Sequence, residues 1–154
     1  MSAEETVKLS LMKKFGIADD KIRIPRPRRL FLETSQADFE KIFAFAKDEL
    51  KFPHLVSITG FDDPQGLSFM YHLAADNGVI LNIRFTVPKE NPVIHSVTAY
   101  FPGADIYERE LVDLFGAKVE GLAKGNRYPL TDDWPQGEHP LRKDWKPGQK
   151  ERAA

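Results

Sequence analysis

The chain has 154 residues, 42% of them apolar and 29% charged, which suits one compact domain that buries roughly 70% of its unfolded surface. Lysine and arginine number 22 against 23 aspartates and glutamates, and the formal charge of −1 gives no overall attraction to nucleic acid or acidic lipid. Cysteine is absent, which excludes disulfides, thiolate catalysis and any cysteine-ligated iron–sulfur or zinc centre within this chain.

The opening MSAEETVKLSLMKK lacks the basic start and apolar core of a signal peptide, and no apolar run approaches the ~18 residues of a membrane span. A cytoplasmic protein is the expectation. Ser2 followed by Glu5 has the form of a capping box, and Val7, Leu11 and Phe15 continue at helical spacing up to Gly16, so the spacing predicts a leading helix over 3–15. In KIRIPRPRR the prolines deny helix, and Lys21, Arg23, Arg26, Arg28 and Arg29 make residues 21–29 a basic, extended connector.

RLFLE reads as a strand. The next segment places Phe39, Ile42, Phe43, Ala46 and Leu50 on one helix face, with Ser35 as its N-cap. HLVSITGF, LSFMYHLAA and GVILNIRFTV read as strands with one face buried; in the last, Val79, Leu81, Ile83, Phe85 and Val87 share a side. DDPQG is a short turn and Asn77–Gly78 has the form of a two-residue hairpin turn, so the three strands form an antiparallel meander. VIHSVT is expected to add a fourth strand. The fold class is therefore α+β: an antiparallel-rich sheet of four to five strands, helices on one face, and an extended C-terminal tail. The division is an α+β domain over 1–120 and a tail over 121–154 that wraps a partner. The sheet face away from the helices would carry Ser68, Met70, His72, Asn82, Arg84 and Thr86, either solvated or covered by a polar partner.

DIYERELVDLFG is the most charged amphipathic stretch. As structure alone, Asp105 would cap the helix with Glu108 at the third position, Arg109 would pair with Asp113, and Tyr107, Leu111, Leu114 and Phe115 would face the core. Two functional alternatives exist on composition. Asp132, Asp133 and His139 are residue types that hold divalent ions in a metal-dependent hydrolase, although TDDWP is equally a turn. Phe69 and Tyr71 beside the basic run would suit RNA stacking, although the same alternation puts both in the core.

Three motifs in order resemble the signature region of the complex I "30 kDa" family of NADH:quinone oxidoreductase subunits. Glu108, Arg109, Glu110, Asp113, Phe115 and Gly116 fill the first; Arg127, Leu130, Asp132, Asp133 and Trp134 the second; His139, Pro140, Leu141, Arg142, Lys143 and Asp144 the third. Such a resemblance implies an accessory subunit, not an enzyme by itself, in the hydrophilic electron-carrying arm of a respiratory assembly. It would brace the homologue of the [NiFe] hydrogenase large subunit, near the cluster-bearing small subunit, peripheral on the cytoplasmic membrane face and without nucleic acid. The motif residues other than Leu130, together with Trp145, would form the partner interface, with Phe115, Trp134 and Trp145 as apolar anchors. Cofactors would lie in the partners as iron–sulfur clusters, with Ni–Fe in a hydrogenase. The family's usual turn after the helix has His and Pro where this chain has Leu122 and Ala123, and the chain stops soon after Trp145. Both features fit the related subunits of energy-converting [NiFe] hydrogenases and formate hydrogenlyase-type complexes.

Overall fold

A computed structural model of the chain describes residues 1–148. Helix α1 (Ala3–Phe15) starts on the full Ser2–Glu5 capping box and ends at Gly16, whose φ of 65° lets its N–H reach the Met12 carbonyl. The basic connector is a correction to the sequence reading: it forms strand β1 (Ile22–Arg26), which turns at Pro27–Arg28 into β2 (Arg29–Glu33). Proline is tolerated there because β1 is the edge of the sheet, where a missing N–H breaks no ladder. Ile22, fully buried, holds the strand to the core.

Helix α2 (Gln36–Asp48) is capped by the Ser35 side chain and buries Phe39, Ile42, Phe43 and Ala46, the face its spacing predicts. Strands β3 (His54–Asp63), β4 (Gly66–Ala74) and β5 (Ile80–Val87) form the antiparallel meander. Its second turn differs from the expected two-residue form: Ala75 N–H bonds to the Val79 carbonyl across three residues, and only Gly78 takes a positive φ, 83°. Strand β2 pairs in parallel with β5, giving the five-stranded order β1-β2-β5-β4-β3.

The expected fourth meander strand is likewise corrected. With β4 on one side and β2 on the other, β5 has no free edge, so β6 (Val93–His95) pairs in parallel with β7 (Lys118–Glu120) as a separate two-stranded sheet. Helix α3 (Ala104–Phe115) lies between these two strands in sequence.

One sheet face forms the core. Phe39 packs tilted against Tyr71 and Phe85, with ring centres 4.5 Å and 4.6 Å apart, and Phe115 of α3 presses on Gly60 of β3. Phe69 and Tyr71 are fully buried, which removes them as base-stacking platforms. The opposite face carries no helix among the described residues. It is laced by hydrogen bonds across the strands: His72 bonds to Thr59 and Asn82, Ser68 to Thr86, and Arg84 to Asp63.

Candidate functional site: the corner of α3 and the signature tail

Helix α3 begins two residues earlier than the capping pattern suggests. Gly103 precedes it without any side-chain cap, and Asp105 instead pairs with Arg109 one turn on. Glu108 does not reach its own helix start. Its carboxylate is fully buried and accepts from the Val97 N–H at 2.6 Å and the Ser96 hydroxyl at 2.8 Å. It thereby pins the link from β6 to α3. Burial pushes its carboxyl above the usual carboxylate range, against the opposing pull of those two donors. Nearby, the Tyr71 hydroxyl is buried without a partner among the described residues, and burial together with the Glu108 charge raises its pKa.

The C-terminal end of α3 is where the three motifs meet. A helix leaves its last carbonyls without intrahelical donors. Here Gly116, at φ 74°, sends its N–H to the Val112 carbonyl, and Ala117 N–H bonds to Leu111. The next three carbonyls are taken by the tail. His139 Nδ1 donates to Asp113 O at 2.9 Å, Leu141 N–H to Leu114 O at 3.0 Å, and Arg142 Nε to Phe115 O. The third motif is thus a helix cap delivered from about two dozen residues downstream. Arg142 also brings a cation to the negative end of the helix dipole.

The second motif is tied to the first through Asp113, only 7% exposed, which accepts from Leu130 N–H at 3.1 Å and faces Arg127 Nε at 3.4 Å. Arg127 donates in turn to the Trp134 carbonyl, and Arg109 to the Ala123 carbonyl. Trp134 and Trp145 lie 5.7 Å apart, and both indole N–H groups donate to Glu138, one to its carbonyl and one to its carboxylate. Sequence reasoning missed Glu138. It also missed Asp62 of β3, a buried carboxylate that accepts from Lys89 Nζ and from Lys143 N–H, both at 2.7 Å, and so fastens the tail to the sheet. Neither has a motif signal: Asp62 meets its partners 27 and 81 residues further along the chain, and Glu138, though only four and seven residues from the two tryptophans, joins them in a turn that has no regular spacing. Although burial alone pushes the Asp62 carboxyl up, the hydrogen bonds and charges of Lys89 and Lys143 outweigh it and hold it low.

The seventeen residues singled out from the sequence therefore divide by exposure. Glu108, Asp113 and Phe115 lie inside, and Gly116, Arg127, His139 and Arg142 are used in the lock. Pro140, Trp134 and Trp145 are half-buried, Arg109 is held by Asp105, and Asp144 lies 3.6 Å from Lys89. Facing outward are Asp132, Asp133, Lys143 and Leu141, the last 53% exposed, with Glu110 half-exposed; Tyr128 is 43% exposed. Glu110, Asp132 and Asp133 enter no ion pair among the described residues. Asp132, Asp133 and His139 are not gathered for a metal: no group of three or more His, Cys, Asp or Glu that could hold one exists among the described residues. The corner offers a rigid frame with free carboxylates on its outside.

Comparison with known proteins bears on this corner. Residues 32–151 match the family model described as respiratory-chain NADH dehydrogenase, 30 Kd subunit. The chain is 34% identical to a subunit of the F(420)H(2) dehydrogenase of Methanosarcina mazei, covering 91% of this chain and 90% of that one. It is 28% identical to membrane-bound hydrogenase subunit beta of Pyrococcus furiosus, over 95% and 88% of the two. In three dimensions it matches a chain in the structure of the membrane-bound sulfane sulfur reductase, an archaeal respiratory membrane complex, with a TM-score of 0.82 and 26% identity over 97% of this chain and 89% of that one. With the signature helix, its remote cap and the match over most of the length all in agreement, this chain belongs to the 30 kDa subunit family of the respiratory-chain NADH dehydrogenases.

Proposed function

We propose that the chain is a docking subunit, without a redox centre of its own, in the hydrophilic electron-transfer arm of a complex I-type oxidoreductase or an energy-converting [NiFe] hydrogenase. It braces the homologue of the hydrogenase large subunit and adjoins the cluster-bearing small subunit, on the cytoplasmic face of the membrane. Iron–sulfur clusters, and Ni–Fe in a hydrogenase, belong to those partners. The observation that carries the reading is the division of the signature residues. Glu108, Asp113, His139 and Arg142 lock a corner internally, while the Leu141 side chain and the carboxylates of Glu110, Asp132 and Asp133 stand outward, the three carboxylates without an ion pair among the described residues. Outward carboxylates and an exposed leucine give partner choice through charge-assisted bonds and an apolar anchor. Relatives whose names place them in membrane complexes support it, as does the lack of cysteine; no helix among the described residues is long and apolar enough to cross a membrane.

The test is capture of the tagged chain from native membranes. The unaltered chain brings down a hydrogenase-large-subunit homologue, and Glu110→Lys or Asp132→Lys/Asp133→Lys releases it while the melting curve of the isolated chain stays put. Recovery of the chain alone, as a stable monomer, overturns the reading.

A further inference from the structure

The sheet face away from the helices ends in a stripe of cations that enter no ion pair among the described residues. The register fixes where they point. Leu30 and Leu32 are buried in the core, so Arg29 and Phe31, which alternate with them, face the other way. Arg23 pairs with Phe31 and Arg26 with Arg29, and side chains paired in register share a face. Arg23 and Arg26 on the edge strand β1 and Arg29 on its neighbour β2 therefore share this face, beside half-buried Phe31 and Ile80.

None of the three arginines has a carboxylate within ion-pair distance among the described residues, and Arg29 donates only to the Arg28 and Gly78 carbonyls. The acids of this face, Glu33 and Asp63, flank Arg84 at the other end of the strands. At the hairpin tip Arg28 adopts φ 62°, a left-handed conformation that Gly or Asn would take with less strain. The strain is spent on one more cation at the same end.

We infer that this stripe is a second docking surface, for an acidic segment of a companion protein whose carboxylates meet Arg23, Arg26 and Arg29 and whose apolar side chains cover Phe31 and Ile80. The inference rests on the reading of the chain as a subunit, and makes it a bridge with two faces. Charge complementarity selects the occupant. Planar guanidinium forks match carboxylates in bidentate pairs, on a flat face with apolar residues between them. A bilayer reads local charge without direction, so it would use neither the fork geometry of the guanidinium groups nor the apolar residues set beside them.

The experiment uses the complex captured through a tag on this chain and treated with a carbodiimide, which joins an amine directly to a carboxylate. Lys21 already supplies an amine at the start of the stripe; Arg23→Lys and Arg26→Lys add two more. These lysines are expected to couple to Asp or Glu of a companion protein. Arg23→Glu/Arg26→Glu is expected to lose that companion about tenfold more readily as salt rises, with the melting curve of the isolated chain unchanged. Coupling only to this chain's own carboxylates, or a double variant whose complex keeps its composition and salt tolerance, overturns the inference. So does sedimentation of the isolated chain with vesicles of about 30% anionic phospholipid that the double variant loses while its complex is intact, since the stripe then belongs to a bilayer. Capture of no companion by the unaltered chain overturns both readings; failure of the arginine stripe alone leaves the release by Glu110→Lys in place.

Discussion

Glu108→Ala separates an internal brace from a contact residue. The change deletes a fully buried carboxylate and leaves the Val97 N–H without an acceptor in a site water does not reach. An orphaned buried donor costs about 1–3 kcal/mol, and loss of a charged acceptor with its packing brings the total to about 3 kcal/mol, or a Tm fall of roughly 6–12 °C for a chain of this size. Glu108→Gln keeps an oxygen for Val97 and an amide for Ser96, and costs about 1 kcal/mol. The assay is thermal unfolding of the isolated chain followed by circular dichroism. Because burial raises the Glu108 pKa, the folded chain holds this proton more firmly than the unfolded one. Between the ordinary glutamate value and the raised one, stability falls as pH rises. The advantage of wild type over Glu108→Gln is therefore greatest at the acid end of that window and shrinks through it. A Glu108→Ala chain that melts within about 1 °C of wild type, yet fails to assemble, refutes the internal role.

Asp62→Asn acts with the opposite sign: the Asp62 pKa is held low, so its contribution is present above the ordinary aspartate value and lost as pH falls through the depressed one, where wild-type and variant melts converge. Gly60→Ala sets a methyl 2.5 Å from the Phe115 ring, which forces α3 away from β3 at a cost of about 1–3 kcal/mol, read as a lower Tm. Asp113→Ala frees the Leu130 N–H and Arg127 together, and is expected to lower the Tm and speed proteolysis within 123–137, measured by limited digestion. Gly116→Ala meets the His139 ring at 2.6 Å in a backbone region L-residues avoid; the helix cap opens, and the near-ultraviolet signal of the Trp134–Trp145 pair changes with it.

The parts of the fold legible in the sequence are those set by neighbours in the chain. The Ser2–Glu5 box, the Ser35 cap, the α2 face and the alternation of β5 are each decided within a few residues. Strand β1 was hidden because Pro25 and five cations in 21–29 outvote the short Ile22–Ile24 alternation, and only an edge position makes them compatible. The pairing of β6 was hidden because it depends on β2 having already occupied the edge of β5, a contact some fifty residues away. In α3 the Asp105–Glu108 spacing fits a capping box, but the loop carrying Ser96 and Val97 offers Glu108 donors that its own helix start does not. The motifs marked the important corner without revealing its chemistry: His139 and Arg142 bond to backbone carbonyls, and an acceptor common to every residue leaves no trace in sequence.

The way the tail closes α3 limits how anything else can approach this corner. With its terminal carbonyls all engaged, the helix has no dangling backbone acceptors through which a neighbour could prolong it or compete for its end. A companion protein meets outward side chains carried on a backbone already tied down. Little backbone freedom is left to freeze out on contact, so even a modest patch there can bind with useful strength, and its selectivity is written in the outward residues alone.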